Sequence, residues 1–142
     1  MRILVDTNVY LDFFLKRDGF FEASKEFFKW NKANKNSIYV TSMSLRDIGY
    51  IATRFFHSNK IGKEIQQSVY CICTKVIGIS ADAAIDSLYS EIDDYEDSLL
   101  IDAAEEAMVD AIVTNNKKDY LKSKIPVFTP EEIIKFERDI II

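Results

Sequence analysis

The sequence predicts an α/β fold, a three-layer sandwich with a central parallel sheet of about four to five strands. Short apolar runs recur along the chain and alternate with segments of helical periodicity. That alternation is the pattern of βαβ units joined by right-handed crossovers. The first run, Ile3-Leu4-Val5, ends abruptly in Asp6-Thr7-Asn8. A buried parallel strand ends this way when it delivers polar groups to the carboxyl edge of an open sheet. Neither an internal repeat nor a linker interrupts the 142 residues, so one domain over 1–142 is expected.

The elements follow in order. Arg2 to Val5 is strand one. Val9, Leu11, Phe13, Phe14 and Leu15 make the next helix too apolar to be exposed, and Asp18-Gly19 stops it. Phe20, Ala23, Phe27 and Trp30 stripe a helix running to about Lys35. Their helical spacing marks them as core rather than a platform for bases. Ile38-Tyr39-Val40 is strand two, followed by a helix from about Ser44 to His57. Ser58-Asn59-Lys60 breaks the chain before a helix from Ile61 to about Cys73. Val76 to Ile79 is a third strand, and Ser80 caps a helix expected to reach about Ile92. Asp93-Asp94 opens a helix from Tyr95 to Met108, with Leu99, Leu100, Ala103, Ala104, Ala107 and Met108 inward. Ala111 to Thr114 is strand four, Lys118 to Lys122 a helical turn, and Pro126 to Phe128 the last strand. Thr129 caps the final helix, with Pro130 in its first position.

Composition narrows the function. The net charge of −5 and pI near 4.9 argue against a general nucleic-acid binder, unless several acids share one pocket that cations neutralise. The four glycines form no phosphate-cradling loop. One histidine and a Cys71-x-Cys73 pair disfavour a zinc site or a His-dependent triad, and reduced, buried or half-buried thiols are expected. No apolar run approaches the roughly 20 residues that span a bilayer, and Asp6 falls too early for a signal peptide. A cytoplasmic protein with no membrane association is expected.

Acids and amides gather at the expected strand ends and helix starts. Asp6 follows strand one, where it also suits a helix N-cap. Asp47 lies in the first turn after strand two, in a Ser44-x-x-Asp47 spacing that also suits a capping box. Asp94, Glu96 and Asp97 open a helix, where acids favour the dipole. Thr114, Asn115 and Asn116 follow strand four, with Asp119 just beyond. Carboxylates brought together repel one another unless a cation neutralises them, and hard oxygen ligands select Mg2+ or Mn2+. Such a set acts on phosphodiesters without histidine.

At these residues the sequence resembles the PIN domain family (PilT N-terminus), and within it the VapC-type toxin ribonucleases. The matching pieces are Leu4 to Asp12, Thr41 to Asp47, Asp94 to Leu99, Ile112 to Tyr120 and Ile125 to Glu132, which keep the family order across nearly the whole chain. The resemblance implies a divalent-metal-dependent endonuclease for single-stranded RNA. It makes Asp6 the first metal ligand and Asp97 the third, with Asn8 and Thr114 shaping the pocket. The family's second acid is usually Glu; Asp47 holds that place here with a shorter reach that leaves room for a bridging water. The fourth acid's place holds Asn116, so Asp119 is inferred to supply that carboxylate, oriented by Asn116. Catalytic roles are thus expected for Asp6, Asp47, Asp97 and Asp119, and metal ligation for Asp6, Asp97 and Asp119. Lys117 and Lys118, with Lys122 and Lys124, either grip phosphates or form a solvated turn. Toxins of this type pair as homodimers and are neutralised by an antitoxin whose Arg or Lys covers the acids.

Two rivals remain. Asp47 and Asn116 also fit a catalytically weak PIN-fold module that binds RNA or a protein. An aspartyl-phosphate phosphotransferase would want an acid and a Thr where Asn8 and Tyr10 stand.

Overall fold

The computed structural model describes residues 1–141; residue 142, the last of the expected span, lies outside the described residues. In chain order the elements are β1 (Arg2–Val5), α1 (Thr7–Phe14), α2 (Phe21–Asn34), β2 (Ser37–Thr41), α3 (Ser42–Phe56), α4 (Asn59–Ile72) and β3 (Lys75–Ile77), then α5 (Ala81–Asp86), α6 (Tyr95–Glu106), β4 (Ala111–Val113), β5 (Val127–Phe128) and α7 (Pro130–Ile141). Two 3₁₀ turns, Ser87–Tyr89 and Lys117–Tyr120, complete the set.

The five strands form one parallel sheet in the order β3-β2-β1-β4-β5. Side-chain alternation along β1 sets the layers. Ile3 and Val5 point to the face covered by α1, α2, α3, α4 and α7, where Tyr10, Phe27, Ile48, Ile65 and Ile133 pack. Leu4 points to the other face, against Leu100, Ala103 and Ala104 of α6 and Tyr120. With both faces covered, the strands read as continuous apolar runs. The chain winds outward from β1 through β2 and β3, then returns to the other side for β4 and β5. This reversal puts the topological switch point between β1 and β4, where open α/β sheets hold their ligands.

The helix expected from Ser80 to Ile92 is cut short. α5 ends at Asp86, and the chain tightens through Ser87–Tyr89 before an irregular run to Asp94. Serines end it by bonding sideways: Ser87 Oγ donates to Asp102 Oδ2 at 3.1 Å, and Ser90 Oγ accepts from Ile92 N–H at 3.1 Å. At the end of α6, Met108 adopts φ +51° and turns outward instead of joining the core. Cys71 is exposed rather than buried and Cys73 half-buried; both are free thiols. Between α3 and α4, Gly62 lets the helices approach closely: a Cβ there would stand 2.9 Å from Gly49 O and would overlap Thr53 Oγ1. As expected, Thr129 caps α7, Glu132 N–H donating to Thr129 Oγ1 at 3.2 Å; Glu132 also reaches back, its Oε2 accepting Thr129 N–H at 2.9 Å, which completes a capping box.

Candidate functional site

The carboxyl ends of β1 and β4 are tied to each other before any helix begins. Asp6 N–H donates to Val113 O at 2.9 Å. The side chain of Asp6 then caps α1: Oδ1 accepts Thr7 N–H at 2.7 Å. The other carboxylate oxygen, Oδ2, accepts the Thr114 hydroxyl at 2.8 Å and Asn8 Nδ2 at 3.2 Å. Thr114, fully buried, accepts in turn from Asn8 Nδ2 at 3.2 Å and from Asn116 N–H at 3.0 Å. A cap and a pocket corner are therefore the same residue, and the amides beside it fix its orientation. Burial raises the Asp6 carboxyl above its ordinary range; hydrogen bonds from Thr114, Tyr120 and the Thr7 N–H oppose that, and the charge of Asp119 adds to it.

A cleft of about 460 Å³ opens over this corner. Asp6, Asn8, Asp47, Glu96, Asp97 and Tyr120 are among the residues that line it. Asp97 stands in the first turn of α6, whose N-cap Asp94 accepts Asp97 N–H at 3.1 Å. The Asp97 carboxyl is pushed up to about 7, first by burial and then by the charges of Asp94, Asp119, Asp6 and Glu96. Asp97 also borders a smaller hollow of about 270 Å³ that holds Asp119 and Lys118. Asp119, on the 3₁₀ turn after β4, accepts a hydrogen bond from Asn116 Nδ2.

Asp47 reaches the cleft from the second turn of α3, not from a capping box. The cap is Thr41, whose Oγ1 accepts Ser44 N–H at 2.9 Å and so leaves Ser44 as a first-turn residue. Asp47 Oδ1 is already held by Arg46, at 2.7 and 3.0 Å. Lys117 is drawn away to Glu132 at 2.9 Å, while Lys118 stays beside Asp97 and Asp119. Among the described residues, no three acids are already drawn up as a cage for an ion.

Three neighbours of the corner were not singled out in the sequence. Tyr120 turns its hydroxyl to Asp6, and its own pKa is raised by burial and by that carboxylate. Asp12, buried in α1, accepts Asn115 Nδ2 at 2.6 Å, and Asn115 N–H donates to Asn8 Oδ1 at 3.1 Å. Arg17 lines the cleft and reaches Asp12. The one signal available was an acid at position 12 inside an otherwise apolar helix. At the opposite end of the sheet, near the start of β2, a larger hollow of about 810 Å³ has Phe13, Phe21 and Phe28 in its wall and Lys25, Lys32 and Lys35 around it, with no acid. It lacks the chemistry of the β1/β4 corner.

Comparison with known proteins agrees with this architecture. The toxin–antitoxin complex from Klebsiella pneumoniae is similar at 21% identity, over 92% of this chain and 98% of that one, with a TM-score of 0.65. FitAcB from Neisseria gonorrhoeae is similar at 15% identity, over 91% and 98%, with a TM-score of 0.69. VapBC2 from Rickettsia felis, bound to a DNA fragment from its promoter, gives 15% identity, 91% and 98%, and 0.66. No curated protein matches the sequence. The model of one family, described as the PIN domain, matches residues 2–118, and with the switch-point corner of Asp6, Asn8 and Thr114 inside that span, the chain belongs to the PIN domain family.

Proposed function

We propose that this protein is a divalent-metal-dependent endoribonuclease that cleaves single-stranded RNA, and that it is the toxin of a toxin–antitoxin pair. The observation that carries this is the placement of Asp97: a half-buried carboxyl that lines one cleft with Asp6, Asp47 and Glu96, where burial and then neighbouring acids raise its pKa. A group held in that state lowers its free energy by taking a cation. The donors present are all oxygens, which fits Mg2+ or Mn2+.

In this reading Asp6 and Asp97 hold the ion, with Asp119 as the third acid, steadied by Asn116. When bound, the metal supplies Lewis-acid stabilisation of charge on the phosphodiester and a more acidic water. The protein's own part is orientation. Thr114, Asn8 and Thr7 N–H fix both oxygens of Asp6, and Tyr120 shields them from bulk water. Asp47, paired with Arg46, approaches from the far wall and acts through water. The reading includes an antitoxin partner, since the similar structure from Klebsiella pneumoniae is a toxin–antitoxin complex. It also includes a homodimer and a cytoplasmic location; no described helix is long and apolar enough to cross a membrane. Exposed Ile85, Leu88 and Tyr89 offer an apolar face for a second copy.

The test is cleavage of single-stranded RNA by wild type with Mn2+, with EDTA, and by Asp6→Asn with Mn2+. Cleavage in the first case alone supports the proposal. Equal cleavage by Asp6→Asn, or none anywhere, sinks it. A catalytically weak binding module is the second reading, favoured by the Arg46–Asp47 pair and by an amide at position 116. Its signature is RNA binding without turnover.

A further inference from the structure

The cleft that holds Asp6, Asp47, Glu96 and Asp97 must admit an RNA strand, whose phosphates those acids repel. Among the described residues, Arg17 is the only Lys or Arg lining it. We infer that Arg17 is the phosphate-binding residue of this cleft and that Asp12 is its positioning residue. This rests on the ribonuclease reading and reassigns the phosphate grip from Lys117, whose ammonium is held by Glu132.

Arg17 is anchored at its backbone and at one point of its head. Its N–H donates to Asp12 O at 3.1 Å, and its carbonyl accepts Phe20 and Phe21 N–H at 3.2 and 3.0 Å. Lys16, at φ +50°, makes the reversal that swings Arg17 back beside α1. The guanidinium donates through Nη1 to Asp12 Oδ1 at 3.4 Å, its one hydrogen bond among the described residues. A guanidinium carries five N–H donors, so most of the fork is free to take a phosphate.

Asp12 suits the anchoring role because it is immobile. It is 3% exposed, and its other oxygen accepts Asn115 Nδ2 at 2.6 Å. Asn115 and Asp6 share Asn8 as a neighbour through Asn8 Oδ1 and Nδ2. One polar chain thus runs from Arg17 through Asp12, Asn115 and Asn8 to Asp6. It sets the spacing between a flanking phosphate at Arg17 and the reacting one at Asp6. The Arg17 side chain is 40% exposed, which leaves its head reachable from the cleft.

The test measures binding of a short fluorescein-labelled single-stranded RNA with Ca2+ in place of Mn2+, across about 50 to 200 mM salt, beside thermal melting of each variant. Arg17→Gln is expected to weaken binding about tenfold. It should also flatten the plot of log affinity against log salt by about 0.7, the share of one phosphate on a single strand. Arg17→Lys should keep the slope but lose several-fold in affinity, because an ammonium lacks the planar fork. Lys117→Gln should change neither. If Arg17→Gln lowers the melting temperature while affinity and slope stay at the wild-type values, Arg17 is only the counter-ion of Asp12 and the inference is overturned. That result leaves Mn2+-dependent cleavage by wild type intact, so the ribonuclease reading survives it. Wild type that neither binds nor cleaves RNA overturns both.

Discussion

Replacing Thr114 by Val tests how the corner is held together. The two side chains have nearly the same shape, but the hydroxyl is lost from a fully buried position. That hydroxyl donates to Asp6 Oδ2 at 2.8 Å and accepts from Asn8 Nδ2 at 3.2 Å and Asn116 N–H at 3.0 Å. A hydrogen bond to a charged group contributes about 1.5–3 kcal/mol. Asn8 keeps its bond to Asp6 and half-buried Asn116 regains water, so their losses add about 1 kcal/mol together. The variant should be less stable by about 2.5–4 kcal/mol. With a urea slope of about 2 kcal/mol per M, the middle of the usual range, the midpoint of unfolding should fall by about 1–2 M with an unchanged slope. Equilibrium urea unfolding in EDTA, followed by circular dichroism, measures it. The same change removes a bond that holds the Asp6 carboxyl down, so Mn2+ binding should weaken as well. A loss under about 0.5 kcal/mol, the size of an ordinary surface substitution, would refute the idea that Thr114 anchors Asp6.

Three further outcomes can be checked. The Asp97 carboxyl has its folded-state value raised to about 7, so the folded protein holds a proton that the unfolded chain releases near pH 4. Stability from this group is fully present below about pH 4 and is lost as pH rises to about 7. In EDTA, Asp97→Asn should therefore gain on wild type between pH 5 and pH 8, and Mn2+ should raise the wild-type melting temperature more at pH 8 than at pH 5; a gap that shrinks with pH contradicts this. Tyr10 is fully buried and its hydroxyl has no partner among the described residues; Tyr10→Phe should raise stability by about 1–2 kcal/mol in the same urea assay, and a loss would show a missed partner. Gly62→Ala should lower stability by about 1–3 kcal/mol by forcing α3 and α4 apart, with melting unchanged if the helices slide freely.

The order of strands and helices was legible because each strand is a short apolar run closed by polar residues, and both sheet faces are covered. Asp6 and Thr114 could be placed at one edge from periodicity alone, since parallel strands share an end. Local caps were read with mixed success. The Thr129 cap was visible, but Thr41 took the role expected of Ser44, because both hydroxyls lie near the same helix start. The helix expected over Ser80–Ile92 ends early because Ser87 bonds across to Asp102 and Ser98, and in the chain Ser87 looks like any helix residue. Asp12 and Asn115 meet across 103 positions; no local pattern encodes that pairing. The hold of Arg46 on Asp47 likewise depends on a side-chain direction that spacing does not fix.

The two walls of the cleft are built differently, and this affects how the site opens. Asp6 and Thr114 belong to the centre of the sheet, bonded to strands on either side. Asp97 follows the irregular stretch from Ser90 to Asp94, and Asp119 sits on a four-residue 3₁₀ turn. Amide hydrogen exchange separates such regions by the free energy of the opening that exposes them. The amides of Val5 and Val113 should exchange only with global unfolding, whereas those around Asp94 and Asp119 should exchange through small local openings. Ligand binding would then slow exchange almost entirely on the second wall.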